Sequence, residues 1–378
     1  MKYYIIAGEA SGDMHGANLM KEIKKLDASA QFRCWGGDKM QAAGGDIVKH
    51  YRDLAFMGFT EVVMNLRTIL KNISFCKKNI LSWKPDIVIL IDYPGFNLRI
   101  AEFAKQNSFR VVYYISPQVW AWKQSRVEKI KRFVDKMIVI LPFEKEFYKK
   151  FNYDVEYVGH PLLDEITSGV PSPSGEGVPI SSIGTDEVRK RTENAKKIIA
   201  LLPGSRLQEI KRMLPLMLSV VKKFLAYEFV VSVAPSVDAG LIKKMCEGFP
   251  VKLSAGNSYT LLRSAHAALV TSGTATLETA LLNVPEVVCY KGGTVSYLIA
   301  RQLVKVKYIS LVNLIMDKEV VKELIQQKLT PEKLSAELEK ILEEKNRSRI
   351  LQDYEQLRTV LGGSGASARA AVLIQNLH

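Results

Sequence analysis

Short, continuously apolar runs recur along the whole chain, and a helical pattern follows almost every one. This alternation limits the possible folds more than any other feature. A strand that is apolar at every position, such as Ile87-Val88-Ile89-Leu90-Ile91, must be covered on both faces. Parallel neighbours need a crossover, so strands separated by helices assemble into parallel α/β sheets. In the first half the runs are Tyr3–Ala7, Phe32–Trp35, Asp86–Ile91, Arg110–Ile115, Lys136–Leu141 and Val155–Val158. In the second they are Ile198–Leu202, Phe229–Ala234, Val251–Leu253, Ala267–Val270, Val287–Tyr290 and Tyr308–Leu311.

A chain of 378 residues exceeds one ordinary core, since domains average roughly 150 residues. The two strand series are separated by Thr167–Asn194, rich in Pro, Gly and Ser, which reads as a linker or surface loop. The expected organisation is an N-terminal Rossmann-like domain at 1–166, a linker at 167–194 and a second Rossmann-like domain at 195–360. A C-terminal helix at 361–378 packs back on the body. Two such domains are expected to face a central cleft, with ligands outside the carboxyl ends of the strands.

No apolar run approaches the ~18 residues a membrane span requires. Met1–Asp13 turns polar at Gly8 and is expected not to act as a signal peptide. The cysteines Cys34, Cys76, Cys246 and Cys289 form no C-x-x-C pair, which suits a reducing compartment and argues against a zinc site. The net charge of +14 points to anionic partners. It is spread over both halves with no basic tail, and no nucleic-acid-binding module is recognisable.

Chemistry is therefore sought where strands end. Gly8-Glu9-Ala10-Ser11-Gly12-Asp13 follows the first run, and its small residues open the backbone to a ligand. It is not G-x-G-x-x-G and carries no Gly-Lys-Ser/Thr, so a nicotinamide or P-loop fingerprint is missing. Asp92 follows Ile87–Ile91 directly and precedes Tyr93-Pro94. It reads either as the start of a turn that caps the next helix or as a general base whose pKa is raised by desolvation. Ser116-Pro117-Gln118-Val119-Trp120-Ala121-Trp122 brings two tryptophans to one strand end, as core or as the lining of a sugar or apolar pocket.

In the second half, Leu202-Pro203-Gly204-Ser205-Arg206 leads into a helix. Free N–H groups there can hold a phosphate, and Arg206 adds a bidentate fork; alternatively Arg206 is a surface residue paired with Glu209. Ser272-Gly273-Thr274 opens another helix, with Glu278 one turn in, placed for a ribose hydroxyl. An ordinary N-cap is the other reading. Two such cradles suggest a nucleoside diphosphate held by the second domain. No Asp-x-Asp pair, H-E-x-x-H or Cys/His cluster occurs, so no metal or other cofactor is expected. Leaving-group charge then falls to Arg206, backbone N–H groups and helix dipoles. Leu66–Lys84 holds Arg67, Lys71, Lys77, Lys78 and Lys84 and no acid. Its apolar stripe is Leu66, Ile69, Leu70, Ile73, Cys76 and Ile80. This reads as a membrane-surface helix or a core helix with a solvated basic face.

Taken together these motifs resemble the lipid-A-disaccharide synthase family nearly end to end. The carriers are GEASGD at 8–13, MGFTEV at 57–62, PDIVILIDYPGFN at 85–97, SPQVWAW at 116–122, LPFE at 141–144 and VGHPLLD at 158–164. LLPGSR at 201–206, SGTATLE at 272–278 and VSYLIARQLVKVKYISLVNLI at 295–315 complete them. The resemblance implies a B-type glycosyltransferase fold and an inverting, metal-independent hexosyltransfer in lipid A (lipopolysaccharide) biosynthesis of a Gram-negative bacterium. The implied donor is UDP-2,3-diacylglucosamine and the implied acceptor is 2,3-diacylglucosamine 1-phosphate, lipid X. The product would be the β-1,6 disaccharide 1-phosphate with UDP. It also implies a cytoplasmic protein, peripheral on the inner face of the inner membrane. Asp92 and Arg206 are the residues it marks as needed for activity. Where many members read D-x-P-D-F-N, this chain has Gly95 for the second aspartate, which leaves Asp92 as the base.

On this reading Gly204, Ser205, Arg206, Ser272, Gly273, Thr274, Glu278 and Asn313 bind UDP. Glu9, Ser11, Gly12, Met57, Asn97, Gln118 and Trp120 are the acceptor-side candidates, and Phe56, Phe59 and Trp122 add apolar surface for acyl chains. An anionic membrane surface is the further partner, and a homodimer is kept open. The rival within the fold is a soluble UDP-GlcNAc enzyme, a peptidoglycan N-acetylglucosaminyltransferase or a 2-epimerase, which would share the cradles but not SPQVWAW.

Overall fold

The long apolar runs form the central strands of two separate parallel sheets. The structure, a computed structural model, describes residues 1–54, 66–168, 196–235, 237–256, 258–293 and 306–377. Phe56, Met57 and Phe59, and residues 169–194 of the expected linker, lie outside these. The chain divides into two units. The first holds the described residues of Met1–Asp164 and Leu361–His378, the second those of Glu165–Leu298 and Val306–Val360.

The first unit contains β1 (Lys2–Ala7), α1 (Ala10–Leu26), β2 (Gln31–Gly36), α2 (Asp38–Ala42) and β3 (Asp46–His50). It continues with α3 (Leu66–Trp83), β4 (Ile87–Ile91), α4 (Pro94–Gln106), β5 (Arg110–Tyr114), α5 (Arg126–Phe133), β6 (Lys136–Val139), α6 (Pro142–Lys149) and β7 (Glu156–Tyr157), and α7 (Leu162–Ser168) leaves it. The sheet order is β3-β2-β1-β4-β5-β6-β7, every pairing parallel. The order reverses between β1 and β4, where Ala7 pairs with Ile91. That topological switch point is where open α/β sheets bind ligands. β4 is buried along its whole length, as an uninterrupted apolar strand requires.

The second unit contains β8 (Ile198–Leu202), α8 (Leu207–Leu218), β9 (Glu228–Val233), α9 (Ala239–Met245), β10 (Val251–Ala255), α10 (Ser258–Ser264), β11 (Ala265–Thr271) and α11 (Thr274–Leu281). β12 (Glu286–Tyr290), α12 (Leu311–Met316), β13 (Lys322–Ile325), α13 (Pro331–Leu342) and α14 (Glu344–Val360) follow. Its order is β10-β9-β8-β11-β12-β13, again all parallel. The switch point lies between β8 and β11, with Leu202 paired to Val270.

The last helix, α15 (Ala366–Gln375), belongs to the first unit and packs on α1. The VGHPLLD motif explains why. Asp164 accepts the free N–H groups of Gly365, Ala366 and Ser367 at the start of α15, and Arg369 donates to the Val158 carbonyl at 2.8 Å. Asp13 of GEASGD is likewise structural. Buried on α1, it takes the N–H groups of Gly37 (2.7 Å), Lys39 (3.1 Å) and Met40 (3.1 Å), capping α2.

Two strands differ from expectation. Tyr308–Leu311 is not a strand. Ser310 is the N-cap of α12, its hydroxyl accepting from Asn313 N–H, and the sixth strand of the sheet is Lys322–Ile325. β3 is an additional edge strand. On α3, Ile73, Cys76 and Ile80 are buried as the stripe predicts, but Leu70, Phe75 and Leu81 are 51%, 47% and 43% exposed.

Glu286, at the start of β12, is completely buried, and neither carboxylate oxygen has a hydrogen-bond partner. Burial, then the charge of Glu323, pushes its pKa well up. The folded protein therefore holds this proton over a pH range in which the unfolded chain releases it. Stability is lost as pH rises from the unfolded value toward the folded one. Because no hydrogen bond is lost, Glu286→Met is expected to raise the unfolding midpoint at pH 8 and to have little effect near pH 4.5. Urea unfolding at the two pH values measures this; an equal or negative change at pH 8 refutes it.

Candidate active site

In the first unit, the residues that follow β1 and β4 flank the switch point. The β4 end is held in an uncommon backbone conformation: Asp92 has φ 43°, Tyr93 φ 51°, and Ile115, after β5, φ 67°. Left-handed conformations of non-glycine residues cost energy and gather at functional sites. Several contacts impose this one. The Asp92 N–H donates to the Ile115 carbonyl at 3.2 Å, and the Ile115 N–H to the Ile138 carbonyl at 3.0 Å. The Asp92 carbonyl accepts from the Tyr113 hydroxyl at 2.6 Å and from Asn97 Nδ2 at 2.7 Å. Tyr93, not Asp92, is the N-cap of α4, and Pro94 opens that helix.

The Asp92 carboxyl is thus freed from capping. It is accessible to solvent yet crowded by protein on most sides. Desolvation, with the charge of Glu9 second, pushes its pKa up to about 7. Such a group exchanges a proton at neutral pH. Glu9 is the N-cap of α1, across the switch point. Ser11 is half-buried beside it.

Three acceptor-side candidates turn inward. Gly12 is a packing glycine: a Cβ there would stand 3.0 Å from the Ala7 Cβ, so the residue lets α1 approach β1. Asn97 is fully buried; besides the Asp92 carbonyl it reaches that of Ile91 at 3.2 Å, which makes it a support of the Asp92 turn. Trp120 is also buried and meets Phe143 edge-on, ring centroids 5.0 Å apart. Gln118 is exposed, and Trp122 is half-buried with Lys123 and Arg126 over its ring at 4.7 and 5.2 Å. Tyr113, which orients the Asp92 carbonyl, looks in the sequence like any strand aromatic.

In the second unit the two cradles follow β8 and β11, on either side of its switch point. Gly204 has φ 114°, a conformation glycine adopts without strain. Ser205 and Arg206 are exposed, and Arg206 is the N-cap residue of α8, its own side chain making no cap hydrogen bond. Its guanidinium pairs with Glu209 at 3.0 Å, the local partner anticipated from sequence. Gly273 is the N-cap of α11, and among the described residues nothing lies within 4 Å of where its Cβ would stand. Ser272 donates to the Ile309 carbonyl at 3.2 Å, and Thr274, half-buried, begins α11. Glu278 accepts from the Tyr259 hydroxyl at 3.3 Å.

Asn313 departs from the expected set. It is fully buried, its Nδ2 donating to the Val321 carbonyl and to Glu323 at 2.8 and 2.9 Å. Its Oδ1 accepts from Val320 and Val321 N–H at 2.8 and 3.0 Å. With its amide spent on Val320 and Val321 before β13 and on Glu323 within it, it is a structural residue. Among the described residues no cluster of three or more His, Cys, Asp or Glu could hold a metal. Nor is any helix among them long and apolar enough to cross a membrane.

Two parallel-sheet domains, each with conspicuous loops at its switch point, define a protein of the B-type glycosyltransferase fold. Solved structures share this architecture. The UDP-GlcNAc 2-epimerase from Neisseria meningitidis bound to UDP-GlcNAc matches with TM-score 0.64 and 14% identity, covering 100% of this chain and 99% of that one. The calicheamicin glycosyltransferase CalG4 matches with TM-score 0.59 and 14% identity, over 99% and 97%. A family model described as lipid-A-disaccharide synthetase matches residues 3–377. The lipid-A-disaccharide synthase of Syntrophus aciditrophicus is 42% identical over 99% of this chain and 97% of its own length. That of Coxiella burnetii is 35% identical over 99% and 97%. The chain belongs to the lipid-A-disaccharide synthase family, and it is a glycosyltransferase of lipid A biosynthesis.

Proposed function

We propose that the enzyme transfers the sugar of UDP-2,3-diacylglucosamine to the 6-hydroxyl of 2,3-diacylglucosamine 1-phosphate, giving the β-1,6 disaccharide 1-phosphate and UDP. An α-linked donor and a β-linked product require one inverting displacement, for which a single base and a stabilised leaving group suffice. The observation that carries the reading is Asp92: a solvent-accessible carboxyl at a switch point, with its pKa pushed up to about 7 and its backbone clamped by neighbours. Asp92 takes the proton of the acceptor hydroxyl. The diphosphate lies against the loop Gly204–Arg206 and the N–H groups of Gly273 and Thr274, with Arg206 neutralising charge and Glu278 on the ribose. Glu9, Ser11 and Gln118 remain as acceptor contacts, so acceptor binding falls to the first unit and UDP binding to the second.

The reading is tested by UDP release with a diacylated donor and acceptor beside an unacylated pair. Turnover confined to the acylated pair is expected. Equal rates with both would replace the lipid substrates by soluble UDP-GlcNAc chemistry, as in the epimerases that share the fold.

Membrane contact is proposed for α3. Arg67, Lys71 and Lys78 are exposed on the same helix as the exposed Leu70, Phe75 and Leu81, whereas Lys77 sits over the Phe103 ring at 4.9 Å. Each basic residue near an anionic surface contributes about 1 kcal/mol, screened by salt. Replacing Arg67, Lys71 and Lys78 by Gln is expected to weaken sedimentation with anionic vesicles and to raise KM for vesicle-borne substrate. Turnover on detergent-dispersed substrate should hold. Wild-type sedimentation of the triple variant would leave α3 a structural helix.

A further inference from the structure

We propose that Glu323 is a positioning residue for the nucleotide: through the Ile309–Ser310 turn it fixes Ser272 and with it the Ser272–Thr274 cradle that opens α11. The inference rests on that cradle as part of the UDP site. Glu323 lies on β13, half-buried, with Val288 of β12 as its neighbour in register. Its carboxylate takes donors from one turn. The Ile309 N–H donates to Oε1 and Oε2 at 3.1 and 3.0 Å, and Ser310 gives Oε1 its N–H at 3.0 Å and its hydroxyl at 2.8 Å. Asn313 Nδ2 adds a contact at 2.9 Å. Starting α12 needs far less than this, since the Ser310 hydroxyl already caps the helix by accepting from Asn313 N–H at 3.3 Å.

The same turn reaches the cradle. The Ile309 carbonyl accepts from the Ser272 hydroxyl at 3.2 Å, while the Ser272 N–H donates to the Cys289 carbonyl of β12 at 3.0 Å. Ser272 is thus tied to the sheet twice, directly to β12 and through Ile309 and Glu323 to β13. Both of its donors are used in this way, so its part is to hold the residues that follow. Those are Gly273, where a Cβ would meet nothing within 4 Å among the described residues, and Thr274, which begins α11; their place at a helix start suits an anion. A turn that loses the carboxylate leaves the N–H groups of Ile309 and of buried Ser310 without their acceptor. It moves to find others and takes the Ile309 carbonyl with it. Ordering of the cradle is then deferred to the moment of binding, and affinity falls.

The test is UDP binding by calorimetry with the full-length enzyme. Glu323→Ala is expected to weaken UDP binding by about 10-fold, as for a loop ordered only on binding, and to raise KM for the donor while KM for the acceptor holds. Glu323→Gln, which keeps one acceptor oxygen, should recover part of the loss. Leu338→Ala, a cavity in the buried face of α13 in the same unit, is the control for lost stability: UDP affinity no weaker in Glu323→Ala than in Leu338→Ala at matched loss of Tm overturns the proposal. Ser272→Ala removes the hydroxyl that links turn and cradle. It should weaken UDP binding as Glu323→Ala does, and the double variant should be no weaker than the single ones. Losses that add in the double variant break the link and overturn the proposal. Should Glu323→Ala fail to fold, Ser272→Ala carries the test, and unchanged UDP affinity there overturns it equally. Gly273→Val, which fills the cradle itself, is measured in parallel. If it weakens UDP binding while Glu323→Ala does not, the positioning role falls and the cradle stands. If Gly273→Val leaves UDP affinity unchanged, the cradle falls, and the inference with it.

Discussion

Asp92→Asn is expected to lower kcat by about 100- to 10,000-fold, the usual contribution of a general base, while UDP binds with wild-type affinity. The amide is nearly isosteric, and the contacts that hold the turn use the Asp92 backbone carbonyl and N–H rather than the side chain. The substitution therefore removes the proton acceptor without dismantling its mounting. The pH profile gives a second readout. With the pKa raised to about 7 by desolvation and by Glu9, the carboxyl is largely protonated at pH 6 and ionised at pH 8. The rate of wild type should rise with pH through neutrality, and the residual rate of the variant should not follow that limb. Glu9→Gln removes a neighbouring negative charge and should shift the limb to lower pH. Turnover close to wild type in Asp92→Asn would end the assignment.

The parts of this fold legible in the sequence are those that burial forces to be apolar. β4 reads as Ile-Val-Ile-Leu-Ile because it is buried along its whole length. β3 and β13 lie at sheet edges and read Asp-Ile-Val-Lys-His and Lys-Glu-Leu-Ile; half-exposed positions tolerate charge, and the apolar signal is lost. Tyr308–Leu311 has strand-like composition, yet the hydroxyl of Ser310 caps a helix there, a tertiary choice that propensity does not record. The same limit holds at the site. Asp92 and Arg206 stood out because both follow apolar strands, at the strand ends where open α/β sheets bind ligands. Asn97, Trp120 and Asn313 had suitable chemistry but face inward, and residue type does not fix side-chain direction.

Arg206→Ala is expected to weaken UDP binding by about 10- to 100-fold, the equivalent of a charge-assisted contact of roughly 1.5–3 kcal/mol, and to lower kcat with it. The guanidinium now pairs with Glu209 at 3.0 Å, with 47% of the arginine and 37% of the glutamate side chain exposed. An exposed pair of this kind is worth about 0.2–1 kcal/mol. A diphosphate carries more charge than one carboxylate and accepts both arms of the guanidinium, so the nucleotide wins the competition. Arg206 also sits at the N-cap of α8; charge and helix dipole act on the same anion. The charge that UDP gains as it departs falls to Arg206 and the helix N-termini. The loss should therefore be larger in kcat/KM than in UDP affinity, because leaving-group charge is greatest in the transition state. Glu209→Gln supplies the opposite arm: it removes the carboxylate charge that competes for the guanidinium, and UDP should bind more tightly than to wild type. If Arg206→Ala leaves both UDP affinity and turnover unchanged, Arg206 is the paired surface residue that its contact with Glu209 alone describes.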